Sequence, residues 1–110
     1  MGMIYINSFD SPKGIMIAMC DEELMGRLLR EGKVEINLRD YGAFYRGRLV
    51  TEEAAAKEIS GRVYSANVVG ERSVGLLVKA GLVREGDIRR VEGVPYVHLF
   101  IVDKGGSAGE

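Results

Sequence analysis

Residues 65–81 constrain this chain more than any other stretch. They begin Ser65-Ala66-Asn67-Val68-Val69-Gly70-Glu71-Arg72-Ser73-Val74 and run through Gly75 to Gly81. Read as one helix capped by Ser65, they set Ala66, Val69, Gly70, Ser73, Val74, Leu77 and Gly81 three and four residues apart, on one small and apolar face. Gly70 and Gly75 each cost such a helix about 1 kcal/mol relative to alanine, a cost most readily tolerated where a neighbouring backbone approaches closely. The competing reading is a strand over residues 63–69, a turn at Gly70 and a helix from Glu71. The long helix is the favoured expectation, and Gly81 stops the helix in both.

On the long helix Asn67 and Glu71 stand one turn apart near the N-terminal end, where free N–H groups attract anions. Asn67 donates and accepts, whereas an ionised Glu71 only accepts. Arg72 beside them suits a phosphate or carboxylate. Glu71 would partly repel such an anion, so a protein surface or an RNA base edge is the other class of ligand. Ordinary structure also explains the pair, with Asn67 capping a loop and Glu71 bound to an arginine.

The rest of the chain alternates short strands and helices. Residues 3–9 and 15–20 read as a hairpin around Asp10-Ser11-Pro12-Lys13-Gly14, the second strand almost wholly apolar and therefore buried. Asp21 follows as a helix cap, with Glu22 and Glu23 in the first turn, Arg27 and Arg30 later, and Gly32 as the stop. Residues 33–38 alternate apolar and polar, a half-buried strand. Residues 39–50 read as a loop or irregular hairpin, with Tyr41, Phe44 and Tyr45 among Gly and Arg and a short strand near 44–50. Thr51 caps a helix over residues 52–59, stopped by Gly61. A turn at Gly86-Asp87, a strand over 88–91, a turn at Glu92-Gly93-Val94-Pro95 and a last strand over 96–102 complete the reading. Connections too short for repeated parallel crossovers predict an α+β, two-layer domain: a mixed or mostly antiparallel sheet with about three helices packed on it. The expected globular domain spans residues 1–102, followed by a flexible glycine-rich tail over 103–110.

At 110 residues and 46% hydrophobic, the chain can bury a core without metals or disulfides. Its net charge of −1 lacks the basic excess of an obvious nucleic-acid binder. Arginine outnumbers lysine roughly two to one, which suits bidentate contacts but equally suits surface ion pairs with glutamates. One cysteine, Cys20, fits a reducing compartment, and no apolar run is long enough for a membrane span. A cytoplasmic protein with no membrane contact is expected.

Several of these segments carry a resemblance. Cys20-Asp21-Glu22-Glu23-Leu24-Met25-Gly26, then Ala66-Asn67-Val68-Val69-Gly70-Glu71, then Ala80-Gly81-Leu82 and Gly93-Val94-Pro95, occur in an order that resembles the archaeal domain of unknown function 424. The resemblance covers nearly the whole chain apart from the tail. It implies an archaeal cytoplasmic protein of α+β fold and implies no reaction, cofactor or catalytic residue. Members of that family often carry a histidine directly after Val-Pro. Here Tyr96 holds that place and His98 lies two residues on.

The chemistry-bearing residues are few. Cys20 at a helix start has the position of an activated thiolate, but Asp21, Glu22 and Glu23 disfavour its ionisation, leaving a small buried hydrophobe as the plain reading. The same three carboxylates would need a further oxygen donor, such as Glu71 or Asp87, to hold a divalent cation. His98, the single histidine, lies on the polar face of the last strand with Tyr96 and Phe100 and has no nucleophile placed beside it. There is no phosphate loop, dinucleotide fingerprint or zinc pattern, and no catalytic residue, metal or cofactor is assigned. The leading expectation is therefore a non-enzymatic binding module for a protein or ribonucleoprotein partner, with Asn67, Gly70, Glu71, Arg72, Cys20, Asp21 and His98 as binding candidates. An RNA surface would need Arg39, Arg46, Arg48, Arg84, Arg89 and Arg90 to be gathered by the fold. The second reading is a small-ligand protein or enzyme whose pocket joins the Cys20-Asp21 turn to the Asn67–Glu71 helix end. A homodimer through an exposed last strand is a third.

Overall fold

A hairpin built from β1 (Ile4–Ser11) and β2 (Gly14–Asp21) starts the fold, in the register Ile4↔Asp21 to Ser11↔Gly14. The computed structural model describes residues 2–59 and 63–100. After β2 come β3 (Leu28–Glu31), β4 (Val34–Asn37), α1 (Gly42–Tyr45), β5 (Arg48–Val50) and α2 (Glu52–Glu58). Then follow β6 (Val63–Val69), α3 (Glu71–Lys79), β7 (Arg89–Val91) and β8 (Val94–Phe100). Six strands form one mixed sheet in the order β5-β1-β2-β6-β8-β7, in which only β2 and β6 run parallel. β3 and β4 pair as a separate antiparallel hairpin. The expected α+β class and mixed sheet are observed.

Two sequence expectations give way here. Residues 65–81 are not one helix: β6 and α3 meet at Gly70, whose φ of 115° no helix contains. Val63, Ser65, Ala66, Val68 and Val69 are all buried, so burial in β6, which lies between β2 and β8, falls on both faces of the strand. A strand buried on both sides loses its alternation, so its short apolar run fits a period of 3.6 as well as a period of 2. Nor do residues 21–32 form a capped helix. A single 3-10 turn at Glu22–Leu24 is followed by Gly26 at φ 91° and then β3, and Asp21 makes no side-chain bond to that turn. A helix begun there would bear the cost of nucleation with few turns in which to recover it.

Local chemistry decides other elements. Thr51 Oγ1 accepts the Ala54 N–H at 3.1 Å, the expected cap of α2. Its proposed stop, Gly61, lies outside the described residues. Gly81, at φ 76°, ends α3 by giving its N–H to Val78 at 3.0 Å, while Leu82 gives its own to Leu77 at 3.0 Å. Glu92 and Gly93, at φ 52° and 79°, make the two-residue turn between β7 and β8. The last strand starts at Val94, ahead of expectation; residues 101–102 and the tail over 103–110 lie outside the described residues. Within residues 39–50, Phe44 and Tyr45 belong to α1 and only Arg48–Val50 is strand.

The two faces of the sheet are covered unequally. Ile4, Ile6, Ile17, Met19, Ala66, Val68 and Val97 meet Ala55 and Ile59 of the α2 region and Val74, Leu76 and Leu77 of α3. On the opposite face Cys20 and Val69 meet Leu24, Leu29, Leu38 and Val91, with Met25, Ile36, Tyr45 and Tyr96 packed alongside. The β3–β4 hairpin and its flanks thus cover one end of that second face.

Candidate binding face

β2 and β6, being parallel, end side by side, and there the Cys20-Asp21 turn meets the start of α3. Gly70 occupies the N-cap position and has no side chain with which to satisfy the first turn. Asp21, 1% exposed, supplies the missing acceptor from 51 and 52 residues away. Its Oδ2 accepts the Arg72 N–H at 3.0 Å, and its Oδ1 accepts the Ser73 N–H at 2.9 Å and the Ser73 hydroxyl at 2.7 Å. A Cβ on Gly70 would overlap the Asp21 carboxylate, so the glycine is required by close approach as well as by its positive φ.

The neighbouring charges complete this junction. The Arg72 guanidinium pairs with Glu23 and donates to the Met3 carbonyl at 3.3 Å, with the Gly2 backbone laid against it. That hydrogen bond from Arg72 holds the Glu23 carboxyl below its ordinary pKa and raises that of Arg72. Glu71 turns away to Arg90, at 3.3 Å. The Arg72 and Ser73 N–H groups, which would greet an outside anion, are therefore held by the protein's own carboxylate. The Cys20 turn and the Gly70–Arg72 helix start come together, but as a filled junction rather than a cavity.

Cys20 lies on the other side of β2 and is fully buried. Its Sγ donates to the Asp21 carbonyl at 3.3 Å. Burial first, then the charges of Asp21 and Glu23, push the thiol up to about 12. Tyr45, in the same cluster, is also raised to about 12, chiefly by burial. Burial and the neighbouring carboxylates both oppose the thiolate form that a nucleophile requires.

The second face of the sheet is ordered in rows. One row reads Tyr5, Cys20, Val69 and Tyr96 across β1, β2, β6 and β8, and lies beneath the β3–β4 side. The next reads Asn7, Ala18, Asn67 and His98; the third reads Phe9, Met16, Ser65 and Phe100. Asn67 and His98 are thus direct cross-strand neighbours, which the helical reading separated. Among the described residues neither the Asn67 amide nor the His98 imidazole has a side-chain hydrogen-bond partner, though the His98 ring lies 5.5 Å from that of Phe100. A register shift near Tyr64 brings its ring to 5.9 Å from Phe100, with the Lys13 ammonium 5.7 Å from the Tyr64 ring.

α1 lies over the β1–β2 side of these rows. Asn7 Nδ2 donates to the Phe44 carbonyl at 3.2 Å, and Phe44 stacks on Phe9 at 5.5 Å and 11°. Tyr45 meets Phe44 edge-on at 5.2 Å and 86°. Beside them Glu35, Ile36, Asn37, Tyr41, Phe44 and Tyr45 line an open cleft of about 420 Å³. Phe9, Tyr41, Phe44, Leu49 and Phe100 are all exposed, so this side carries most of the large exposed apolar residues described. Asn37 fixes one wall: its Oδ1 accepts the N–H groups of Arg39 and Asp40 at 3.1 and 2.8 Å, and its Nδ2 donates to Asp40 at 3.0 Å.

The sequence names Tyr41, Phe44 and Tyr45 without giving them a role, leaves Phe9 out, and places Ser73 only on a small packing face. The available signal was aromatic density in a segment with no clear period. The six arginines are not gathered. Arg48 lies on the β5 edge and Arg89 and Arg90 on the β7 edge, at opposite sides of the sheet. Arg39, Arg48 and Arg90 are ion-paired with Asp40, Glu58 and Glu71. Among the described residues no three His, Cys, Asp or Glu side chains converge as metal ligands, and no helix is long and apolar enough to cross a membrane.

A family model described as "Protein of unknown function (DUF424)" matches residues 9–102. A crystal structure of an uncharacterized conserved protein from Methanopyrus kandleri is similar over 91% of this chain and 92% of that one, at 28% identity and a TM-score of 0.75. No curated protein matches the chain.

Proposed function

The chain belongs to the family of proteins of unknown function 424, and on that premise we propose that it is a non-enzymatic binding module that docks a polypeptide, alone or within a ribonucleoprotein. The observation that carries this reading is that Phe9, Tyr41, Phe44, Leu49 and Phe100 are all exposed on the side of the sheet away from α2 and α3, with Phe9 and Phe44 stacked and Phe100 beyond two intervening strands. Contiguous exposed apolar groups with polar neighbours mark interaction surfaces. Asn67 and His98 stand among them with unspent hydrogen-bonding capacity, which a partner's backbone can meet.

The strand edge supports the same reading. β7 pairs only with Val94–Tyr96, so among the described residues β8 from Val97 to Phe100 faces no further strand on its outer side. An extended segment of a partner can pair there. A polypeptide is favoured over bare RNA because the arginines sit at opposite edges and several are already paired with acids.

A photo-crosslinking residue placed at Phe100, and separately at Val78 on the α3 side, tests the proposal in cell extract. One discrete protein adduct is expected at position 100 and none at position 78. Equal capture at both positions, or none at either, sinks the reading. Filter binding to total RNA across a salt series separates the forms: salt-dependent retention by the isolated protein would replace the polypeptide with RNA.

A further inference from the structure

We infer that the cleft beside α1 is an aromatic cage for an alkylammonium group, the side chain of a lysine or methylated lysine presented by the docked polypeptide. This rests on the reading above and names the chemistry by which this face would select its partner. Three of the six lining residues, Tyr41, Phe44 and Tyr45, are aromatic, and a fourth, Glu35, is a carboxylate. Ring faces carry partial negative charge and attract cations, most strongly when several faces converge and water is displaced.

The walls are held in place. Phe44 is fixed by stacking on Phe9 and by Tyr45, whose ring stands at 86° to it. Rings set nearly perpendicular suit a rounded ammonium better than a flat guanidinium, which needs one extended stacking surface. Tyr41, 69% exposed, is the most solvent-accessible of the three aromatic walls. Both Arg30 contacts with Glu35 fall on Oε1, at 3.0 and 3.2 Å, and Oε2 has no described partner. An exposed pair such as Arg30–Glu35 is worth little, so an incoming cation can share or displace it.

The probe is choline, titrated into the full chain and followed through the ring proton resonances of Tyr41, Phe44 and Tyr45. Its neutral carbon isostere, with the trimethylammonium replaced by a tert-butyl group, is the control. Saturable shifts with choline and weak ones with the isostere are expected. Tyr41→Ala should weaken choline binding roughly tenfold and Glu35→Gln several-fold, since both residues are exposed and neither supports the core. Absence of shifts, an equal response to the isostere, or unchanged affinity in both variants overturns the cage. Such a failure leaves the crosslinking result at position 100 standing. Failure of crosslinking with an intact choline response removes the polypeptide and keeps the cage.

Discussion

The junction at Gly70 and the aromatic face differ in how their polar and apolar groups are spent. At the junction Asp21 accepts three hydrogen bonds, Arg72 reaches Glu23 and Met3 with only its buried Nε lacking a partner among the described residues, and the glycine leaves no room. On the face Asn67 and His98 are unspent, and four aromatic rings are open to solvent. Buried polar groups that satisfy one another hold a fold together. Exposed apolar surface and unused donors need a partner to account for them. The most distinctive sequence segment therefore belongs mainly to structure, and its functional content is reduced to Asn67.

That contrast can be broken at the junction first. Gly70→Ala should lose about 3 kcal/mol in denaturant unfolding, from the collision with Asp21 and the positive φ together. Asp21→Ala should cost a similar amount, about 2–3 kcal/mol, by stranding the N–H groups of Arg72 and Ser73. In the double variant the collision disappears, so the two losses should sum to less than their separate values. Wild-type stability in Asp21→Ala would move Asp21 from structure to function.

Alkaline titration sharpens the same point from the Cys20 side. In the unfolded chain the thiol loses its proton near its ordinary 9.0, whereas the native thiol keeps it to about 12. Tyr45 is likewise raised, from 10.0 to about 12. Above pH 9 the unfolded state thus binds fewer protons than the native one, so stability is full below that point and falls as pH rises toward 12. Cys20→Ala should flatten the first part of that limb. Alkylation of native Cys20 at neutral pH should proceed only at the rate of opening; fast labelling would show an accessible, ionised thiol.

Smaller effects lie away from the junction. Nothing stands within 4 Å of where a Cβ on Gly75 would be, so Gly75→Ala should stabilise α3 by about 0.5–1 kcal/mol. A loss instead would mean that the close-packing role belongs to both glycines. Smallest of all, His98→Ala and Phe100→Ser should leave the unfolding free energy within about 0.5 kcal/mol of wild type while abolishing partner capture. Marked destabilisation by either would turn the open face into part of the core.

The hairpin of β1 and β2, the Thr51 cap, the Gly81 stop and the Glu92-Gly93 turn were legible because each rests on contacts within a few residues. For β6 the sequence determined that residues 63–69 would be buried but not in which periodicity. Its strand identity comes from β2 and β8, which hydrogen-bond it from both sides. Asp21 was legible as a helix cap, yet the helix it serves begins at Glu71 and not at Glu22. The pairing of Asn67 with His98 and the meeting of Tyr41, Phe44 and Tyr45 with Glu35 are likewise products of register and hairpin placement. Residue types and short-range backbone chemistry therefore determined what each segment could become. Which groups stand together, and which are spent, was decided when parallel β2 and β6 brought distant chain ends side by side.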